Sequence, residues 1–273
     1  MPIPIGEQQG VAMAIFRGGK FTGKYAVRMA ATDADVIRCQ QLRYLTFIEE
    51  RGLDRAGIGG ASTARLDRDE FDPVCRHVMI EETRTGKLVC CFRMLPLADG
   101  SEISRSYSAK YYELSKLASY PGRMVEMGRF CIHPAYRDPN ILRAAWGAMS
   151  RFVDQEGIEL LFGCSSFHGV DAEAYMDAFA LLKEKHLAPK RWLPRVKAPK
   201  VFRFARKLRF KRPDMKLALR RMPPLLRSYL VMGGWVSDHA VIDNELNTLH
   251  VFTGIEIKRV PPARARLLRR AGA

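Results

Sequence analysis

The sequence has no long apolar segment. None of its uninterrupted apolar stretches approaches the roughly 18 to 20 residues that a membrane-spanning helix needs. Its N-terminus also lacks a basic segment followed by an apolar stretch of the length found in secretory leaders. Hydrophobic residues make up 47% and charged residues 27% of the 273 residues, which excludes a wholly disordered or collagen-like chain. These features predict a globular protein of the cytoplasm.

Motifs for metal ions, nucleotides and serine nucleophiles are missing as well. The sequence contains no CxxC or HxxxH pair, no Walker-type phosphate loop and no GxSxG motif. The cysteines lie in apolar contexts and are predicted to be reduced core thiols: Cys39, Cys75, Cys90, Cys91, Cys131 and Cys164. We therefore expect neither a structural metal ion nor a tightly bound cofactor.

Positive charge is concentrated in one part of the chain. The net charge is +16, and residues 183–227 alone hold 17 basic and 2 acidic side chains. Such a segment attracts nucleic acid, anionic lipid or an acidic carrier protein. The alternative is a solvated surface that only aids solubility. Phe202 and Phe204 lie between these charges and are either core residues or residues that enter a membrane surface.

Hydrophobic periodicity predicts a mixed α/β protein. Strands are predicted over 24–31, 77–82, 87–95, 125–132, 160–167 and 249–257. Helices are predicted over 33–51, 111–118, 141–156, 171–186 and 225–232. The second and third strands are expected to form an antiparallel hairpin. The predicted organisation is a loose segment over 1–23, a mobile loop over 56–64, and one domain over 24–273 with 183–227 as a basic docking segment.

The strand over 125–132 carries two charges in an apolar setting. Glu126 and Arg129 must either pair or face a polar cleft, because an unpaired buried charge is costly. Strand alternation directs them to opposite faces unless Gly128 introduces a bulge, which is one way in which a central strand opens a ligand slot. A structural ion pair is the alternative interpretation.

Together, these elements and residues resemble the GNAT acyltransferase superfamily. Over roughly residues 25–170 the motifs resemble those of acyl-homoserine lactone synthases, and over its full length the chain is more similar to bacterial L-ornithine Nα-acyltransferases. The first resemblance rests on LRY at 42–44, FIEE at 47–50, DEFD at 69–72, CFRML at 91–95 and EMGRF at 126–130; the second rests on 164–169, 223–230, 233–235 and 243–248. The resemblance implies a GNAT-like mixed central sheet with a splayed strand pair, flanked by helices, and an elaborated basic C-terminal part.

The same resemblance implies a reaction. The enzyme is expected to move a 3-hydroxyacyl group from acyl carrier protein to the α-amine of L-ornithine, giving lyso-ornithine lipid. Residues 136–143 lack the glycines with which GNAT enzymes hold the pyrophosphate of coenzyme A, and Pro139 removes one donor. The phosphopantetheine arm of a carrier protein has a single phosphate in place of the pyrophosphate, so its binding needs fewer backbone donors from this turn. Because carrier proteins are acidic, the basic surface over 183–227 is expected to dock one.

The resemblance also implies roles for individual residues. Glu126 is the expected general base, and backbone N–H groups near Gly128 are expected to hold the oxyanion. Arg93 and Arg129 are expected to bind the substrate carboxylate or to orient the base, and Asp69 and Asp72 to hold the δ-ammonium or a structural arginine. The remaining candidates are Arg43 for the substrate, Ser165, Ser166 or Tyr175 for protonation of the leaving thiolate, and Phe130, Ile132, Arg137 and Arg143 for pantetheine or the carrier.

Other functions stay open at this point. The same chemistry on glycine, glutamine or lysine is one alternative, and an acyl-homoserine lactone synthase that uses S-adenosylmethionine is another. A non-enzymatic binder of nucleic acid or anionic membrane is supported by the 183–227 segment alone. No nucleic-acid partner is expected, because no helix-turn-helix, RNP or zinc pattern accompanies the charge. Peripheral contact with the inner face of the membrane fits a lipid product.

Overall fold

The computed structural model describes residues 23–53 and 65–272, and this part of the chain divides into two compact units. Unit 1 contains the residues up to Leu95, Met127–Ile158 and the residues from Pro262 onward, and unit 2 contains Pro96–Glu126 and Glu159–Pro261. The predicted loop over 56–64 and nearly all of the predicted loose segment over 1–23 lie outside the described residues. One domain over 24–273 stays a prediction.

The elements confirm the predicted α/β class. The strands are β1 (Tyr25–Met29), β2 (Arg76–Glu82), β3 (Leu88–Leu97), β4 (Tyr112–Glu113), β5 (Met124–Ile132), β6 (Leu160–His168), β7 (Arg195–Val196), β8 (Val201–Phe202), β9 (Trp235–Val236), β10 (Ala240–Asp243) and β11 (Thr248–Glu256). The helices are α1 (Asp33–Tyr44), α2 (Ser108–Tyr111), α3 (Pro139–Glu156), α4 (Met176–Lys185), α5 (Phe204–Lys207), α6 (Met215–Arg221), α7 (Pro224–Val231) and α8 (Pro262–Gly272). None of the helices in residues 23–53 and 65–272 has the length and apolar character to cross a bilayer.

Unit 1 contains the predicted hairpin. Strands β2 and β3 pair antiparallel, β1 pairs antiparallel with β2, and the sheet order is β1-β2-β3-β5. Gly86 closes the hairpin turn with a φ of +67°, a conformation that glycine adopts without steric cost. Helix α3 begins with the Asp138 side chain accepting a hydrogen bond from the Asn140 N–H and ends at Gly157, whose φ is +63°. These local signals explain why the helix was predictable to within two residues.

In unit 2 the strand order is β5-β6-β11-β10-β8, with β9 on β11. Strands β6 and β11 form a long antiparallel ladder from Leu160 opposite Glu256 to His168 opposite Thr248. The parallel ladder between β5 and β6 is short. Among the described residues it covers Met124–Glu126 and Leu160–Phe162, and it ends there although both strands continue. The predicted splay of a strand pair stays a prediction.

Several sequence-based expectations are wrong in detail. The helix predicted over 111–118 is replaced by α2, the short strand β4 and a 3-10 turn, because Tyr112 is buried and pairs with Val196. The helix after β1 changes to a π-helical turn over Leu45–Glu49. Cys75 and Cys164 are only partly buried, so they are not core thiols.

Phe202 and Phe204 are core residues, which excludes the membrane-entering alternative for these two side chains. They are 9% and 0% exposed. The Phe204 ring stacks on Phe179 of α4 at 5.1 Å between centroids, and the Phe202 ring packs on the same residue at 5.4 Å. The basic segment is therefore anchored by its aromatic residues to the interior of unit 2.

Candidate active site

Three arginines and three aspartates form one network of ion pairs in unit 1. The arginines come from α1, β3 and β5, whereas the aspartates share the segment over 67–72. The members are Arg43, Arg93, Arg129, Asp67, Asp69 and Asp72. The structure thus brings together five residues that the sequence assigns to the site, and it adds Asp67, which sequence reasoning missed.

Asp72 is the centre of this network. Its Oδ1 accepts hydrogen bonds from Arg43 at 2.7 Å and Arg93 at 2.9 Å, and its Oδ2 accepts from Arg43 and Gln40, both at 3.0 Å. Arg43 is 1% exposed, so a direct contact between Arg43 and a substrate is disfavoured. Burial raises the pKa of the Asp72 carboxyl, but hydrogen bonds from Arg43 and the charges of Arg43 and Arg93 outweigh it, and the pKa lies below its usual value.

Asp69 links Arg93 to Arg129. Arg93 donates to both Asp69 oxygens, at 2.5 and 2.7 Å, in the bidentate geometry that guanidinium favours. Arg129 Nη2 lies 3.2 Å from Asp69 Oδ2. Burial raises the pKa of Asp69. The hydrogen bonds and charge of Arg93, together with the charge of Arg129, have a larger effect in the opposite direction, so the pKa lies below its usual value. With 14% of its side chain exposed, against 4% for Arg93, Arg129 is the more accessible guanidinium.

The break in the regular strand lies at Arg129. Its φ is +52°, in the left-handed region that non-glycine residues seldom occupy, whereas Gly128 has no such φ. In the sequence analysis a bulge at Gly128, one residue earlier, was the condition for Glu126 and Arg129 not to face opposite sides. A left-handed non-glycine residue costs on the order of 1 to 3 kcal/mol, and the ion pairs of Arg129 with Asp67 and Asp69 hold it there.

Glu126 lies in unit 2 and is 5% exposed. Its Oε2 accepts a hydrogen bond from the Tyr107 N–H at 2.8 Å, and its Oε1 accepts from the Ser108 N–H at 2.7 Å and the Ser108 hydroxyl at 2.5 Å. These donors stabilise the ionised carboxylate. Oε1 therefore accepts two hydrogen bonds from Ser108, and Oε2 accepts one from Tyr107. Ser108 was missed by sequence reasoning, because no pattern in the sequence joins it to Glu126.

The candidates for thiolate protonation lie on or near β6. Ser165 is 4% exposed, and its Oγ accepts a hydrogen bond from the Thr253 hydroxyl at 3.0 Å. This hydrogen bond joins the Ser165 hydroxyl of β6 to the neighbouring strand β11. Tyr175 donates its hydroxyl proton to the His168 carbonyl at 2.6 Å, which disfavours Tyr175 as a proton donor. Ser166 is exposed.

The candidates for pantetheine or carrier contact lie in unit 1. Phe130 is half-buried and stacks on Phe92 with 5.6 Å between ring centroids, and Ile132 is also half-buried. Arg137 and Arg143 are exposed. Among the described residues, neither of these two arginines has a carboxylate partner. Arg137 comes just before the N-cap of α3, and Arg143 lies one turn inside this helix, which begins at Pro139.

Two buried histidines in unit 2 were not singled out by sequence. His239 and His250 are 0% and 2% exposed, and both lie against the ring of Tyr112. The Tyr112 hydroxyl donates to the His250 carbonyl at 2.7 Å, and His239 Nδ1 lies 2.6 Å from Asp238. Burial, with a smaller contribution from His239, lowers the pKa of His250 to about 3. His250 is therefore neutral in the folded protein at neutral pH.

This histidine predicts an acid dependence of stability. Between pH 6.5 and about 3 the unfolded chain protonates His250 and the folded chain does not, so the free energy of unfolding falls as pH falls. The expected slope from this residue is about 1.4 kcal/mol per pH unit. Urea unfolding of the wild type and of His250→Gln across this range measures it. An equal slope in both proteins would contradict the assignment.

The sequence matches the Acetyltransferase (GNAT) domain family over residues 42–147. It is also 34% identical over 237 residues to L-ornithine N(alpha)-acyltransferase of Rhodobacter capsulatus, an alignment that covers 83% of this chain and 88% of that protein. The chain belongs to the L-ornithine N(alpha)-acyltransferase family. The protein of the same name from Brucella abortus is 29% identical over 87% of this chain and 86% of its own length.

Membership of the L-ornithine N(alpha)-acyltransferase family makes this protein an N-acyltransferase, which confirms the predicted enzyme class and the GNAT relationship. The solved structure of BjaI, a CoA-dependent acyl-homoserine lactone synthase, covers 88% of this chain and 83% of its own with a TM-score of 0.48 and 14% identity. In the protein described here, the three candidates for thiolate protonation lie outside residues 42–147, the region that matches the GNAT domain family: Ser165, Ser166 and Tyr175.

Proposed function

We propose that this enzyme transfers a 3-hydroxyacyl group from acyl carrier protein to the α-amine of L-ornithine, giving lyso-ornithine lipid in the cytoplasm. The observation that carries the proposal is the 34% identity, over most of both chains, to a protein named for acylation of that amine. The stretches at 164–169, 223–230, 233–235 and 243–248, which resemble those of L-ornithine Nα-acyltransferases, support the same conclusion. Acylation of another amino acid and synthesis of an acyl-homoserine lactone remain the competing reactions.

The reaction requires one bond to form and one to break. The α-amine nitrogen attacks the thioester carbonyl carbon, the C–S bond breaks, and the pantetheine sulfur leaves as a thiolate that takes up a proton. In this proposal Glu126 accepts the proton that the amine loses and Ser165 passes its hydroxyl proton to the thiolate; solvent then returns a proton to Ser165 and takes up the one on Glu126. The support for Glu126 is its fixed orientation on Ser108, and a base of this kind contributes about 10² to 10⁴ in rate.

Recognition of the acceptor is assigned to the network in unit 1. Arg129 binds the substrate carboxylate in this proposal, because it is the most accessible of the three arginines. Arg43 and Arg93 act by positioning. Asp69 and Asp72 already accept hydrogen bonds from arginines, which supports the role of holding structural arginines over that of binding the substrate δ-ammonium.

In this proposal, basic side chains bind the acyl donor. Arg137 and Arg143 contact the single phosphate of the phosphopantetheine arm, with Phe130 and Ile132 beside its apolar part. The surface over 183–227 docks the acidic carrier protein, which raises the rate of association. Because the product is a single-chain lipid, the proposal also includes peripheral contact with the membrane.

Release of free thiol from each donor with each acceptor tests the proposal. We expect fast thiol release with a 3-hydroxyacyl carrier protein and L-ornithine, and slow release when the same acyl group is carried by coenzyme A. Glycine, glutamine, lysine and S-adenosylmethionine serve as competing acceptors. Preference for another acceptor would overturn the substrate. Binding to duplex DNA with no thiol released from any donor would favour the non-enzymatic alternative.

A further inference from the structure

Three exposed apolar side chains lie close together in sequence within the basic segment of unit 2. Phe210 is 83% exposed, Met215 is 42% exposed and Leu219 is 44% exposed. We call these three residues the Phe210 patch. A phenylalanine this exposed is unusual in a globular protein, and clustered exposed apolar residues commonly mark an interaction surface.

The chain beneath the patch is firmly anchored. Lys183 Nζ, from α4, donates to the carbonyls of Leu208 and Lys211, both at 2.9 Å. Asp177, also from α4, accepts a hydrogen bond from the Asp214 N–H at 3.0 Å. Leu208 itself is 4% exposed. Phe210 therefore lies on a turn that is held in place by α4 and by the buried Leu208. Its side chain is exposed because of this anchored backbone.

Exposed cations accompany the patch in the same segment of the chain. The Arg209 guanidinium lies 4.5 Å from the centroid of the Phe210 ring. Other basic side chains of the same segment are also exposed, and none of them has a carboxylate partner within residues 23–53 and 65–272: Arg212, Lys216, Arg220 and Arg221. The nearby carboxylates are engaged, since Asp177 pairs with Lys211 and Asp214 caps α6 through the Leu217 N–H.

We propose that the Phe210 patch binds an anionic membrane surface. Headgroup phosphates would contact the surrounding arginines and lysines, while the phenylalanine, methionine and leucine side chains enter the boundary between headgroups and acyl chains. Charge alone fits a carrier protein equally well. The exposed apolar side chains favour a lipid surface. The inference rests on the proposed function, because a single-chain lipid product must enter a bilayer after release. Binding of the protein to vesicles, however, does not depend on which acceptor is acylated.

Vesicle flotation with the full chain tests this surface. We expect binding to vesicles of phosphatidylcholine mixed with phosphatidylglycerol, little binding to phosphatidylcholine alone, and loss of binding at high salt. Phe210→Ser is expected to weaken binding to the anionic vesicles by about tenfold, because one aromatic side chain no longer enters the lipid. Lys216→Gln is expected to weaken binding by about fivefold.

Controls separate this inference from the proposed function. Val74→Ser changes a valine that is 53% exposed in unit 1 and is expected to leave vesicle binding unchanged. Failure of the wild type to bind anionic vesicles would overturn the inference. It would also be overturned if Phe210→Ser raised the KM for carrier protein and left vesicle binding intact, because the patch would then dock the carrier.

Discussion

Replacement of Asp72 by asparagine is expected to lower the free energy of unfolding by about 3 to 5 kcal/mol, because the buried network then holds three arginines against two carboxylates. The carboxylate accepts hydrogen bonds from Arg43, Arg93 and Gln40. An asparagine amide has the same shape but carries no charge, and its NH2 group would face a donor of Arg43 or Gln40. Urea unfolding of the purified variant measures the loss.

Asp33→Asn is the matched control for this experiment. Asp33 is exposed in the first turn of α1, where a carboxylate contributes only about 0.3 to 1 kcal/mol through the helix dipole. The pH dependence gives a second check. Since the pKa of Asp72 is lowered in the folded state, its stabilising effect is present above its ordinary value of 3.8 and is lost as pH falls below it. A loss no larger than that of Asp33→Asn would contradict the role of Asp72 as the centre of the network.

Glu126→Gln is expected to reduce kcat for acyl transfer at neutral pH by about 10² to 10⁴, because the amide cannot accept the amine proton. The size of the loss is expected to depend on pH. Above the pKa of an α-amine, about 8, the substrate loses its own proton, and the base contributes less. We therefore expect the variant to approach the wild-type rate as pH rises. Initial rates of thiol release across pH measure both effects.

The pH profile distinguishes a base from a structural carboxylate. Glu126→Gln also places an amide against the N–H groups of Tyr107 and Ser108, and any loss of activity that arises from this structural change would not be rescued at high pH. Ser108→Ala keeps the carboxylate and its two backbone donors, and a smaller reduction is expected. Glu245→Gln changes an exposed carboxylate of the same unit and serves as the control. A deficit in Glu126→Gln that is equal at all pH values would contradict the base assignment.

Local signals made much of the fold predictable. The β2–β3 hairpin follows from two apolar strands around a turn that ends in Gly86, and α3 follows from Asp138, Pro139 and Gly157 at its ends. Strands β4, β7, β8 and β9 were missed, because each has two residues and two residues show no periodicity. Their pairing depends on partners far away in the sequence, as with Tyr112 and Val196.

The candidate site was predictable as a set of residues but not as an arrangement. The motifs contain Arg43, Arg93 and Asp72, but the ion pairs among these residues are visible only in the tertiary structure. The same holds for Arg129 as the most accessible of the three guanidinium groups. The partner of Glu126 is Ser108, eighteen residues earlier in the chain, and no periodic pattern joins them. The left-handed conformation at Arg129 could not be read from sequence, since glycine at 128 was the natural expectation.

A tandem mass spectrum of the reaction product tests the central claim most directly. The wild-type enzyme is incubated with a 3-hydroxyacyl carrier protein and L-ornithine, and the fragments assign the acylated nitrogen. We predict a single amide on the α-nitrogen with the δ-amine free. An amide on the δ-nitrogen, or an unmodified amino acid beside an intact thioester, would contradict the account.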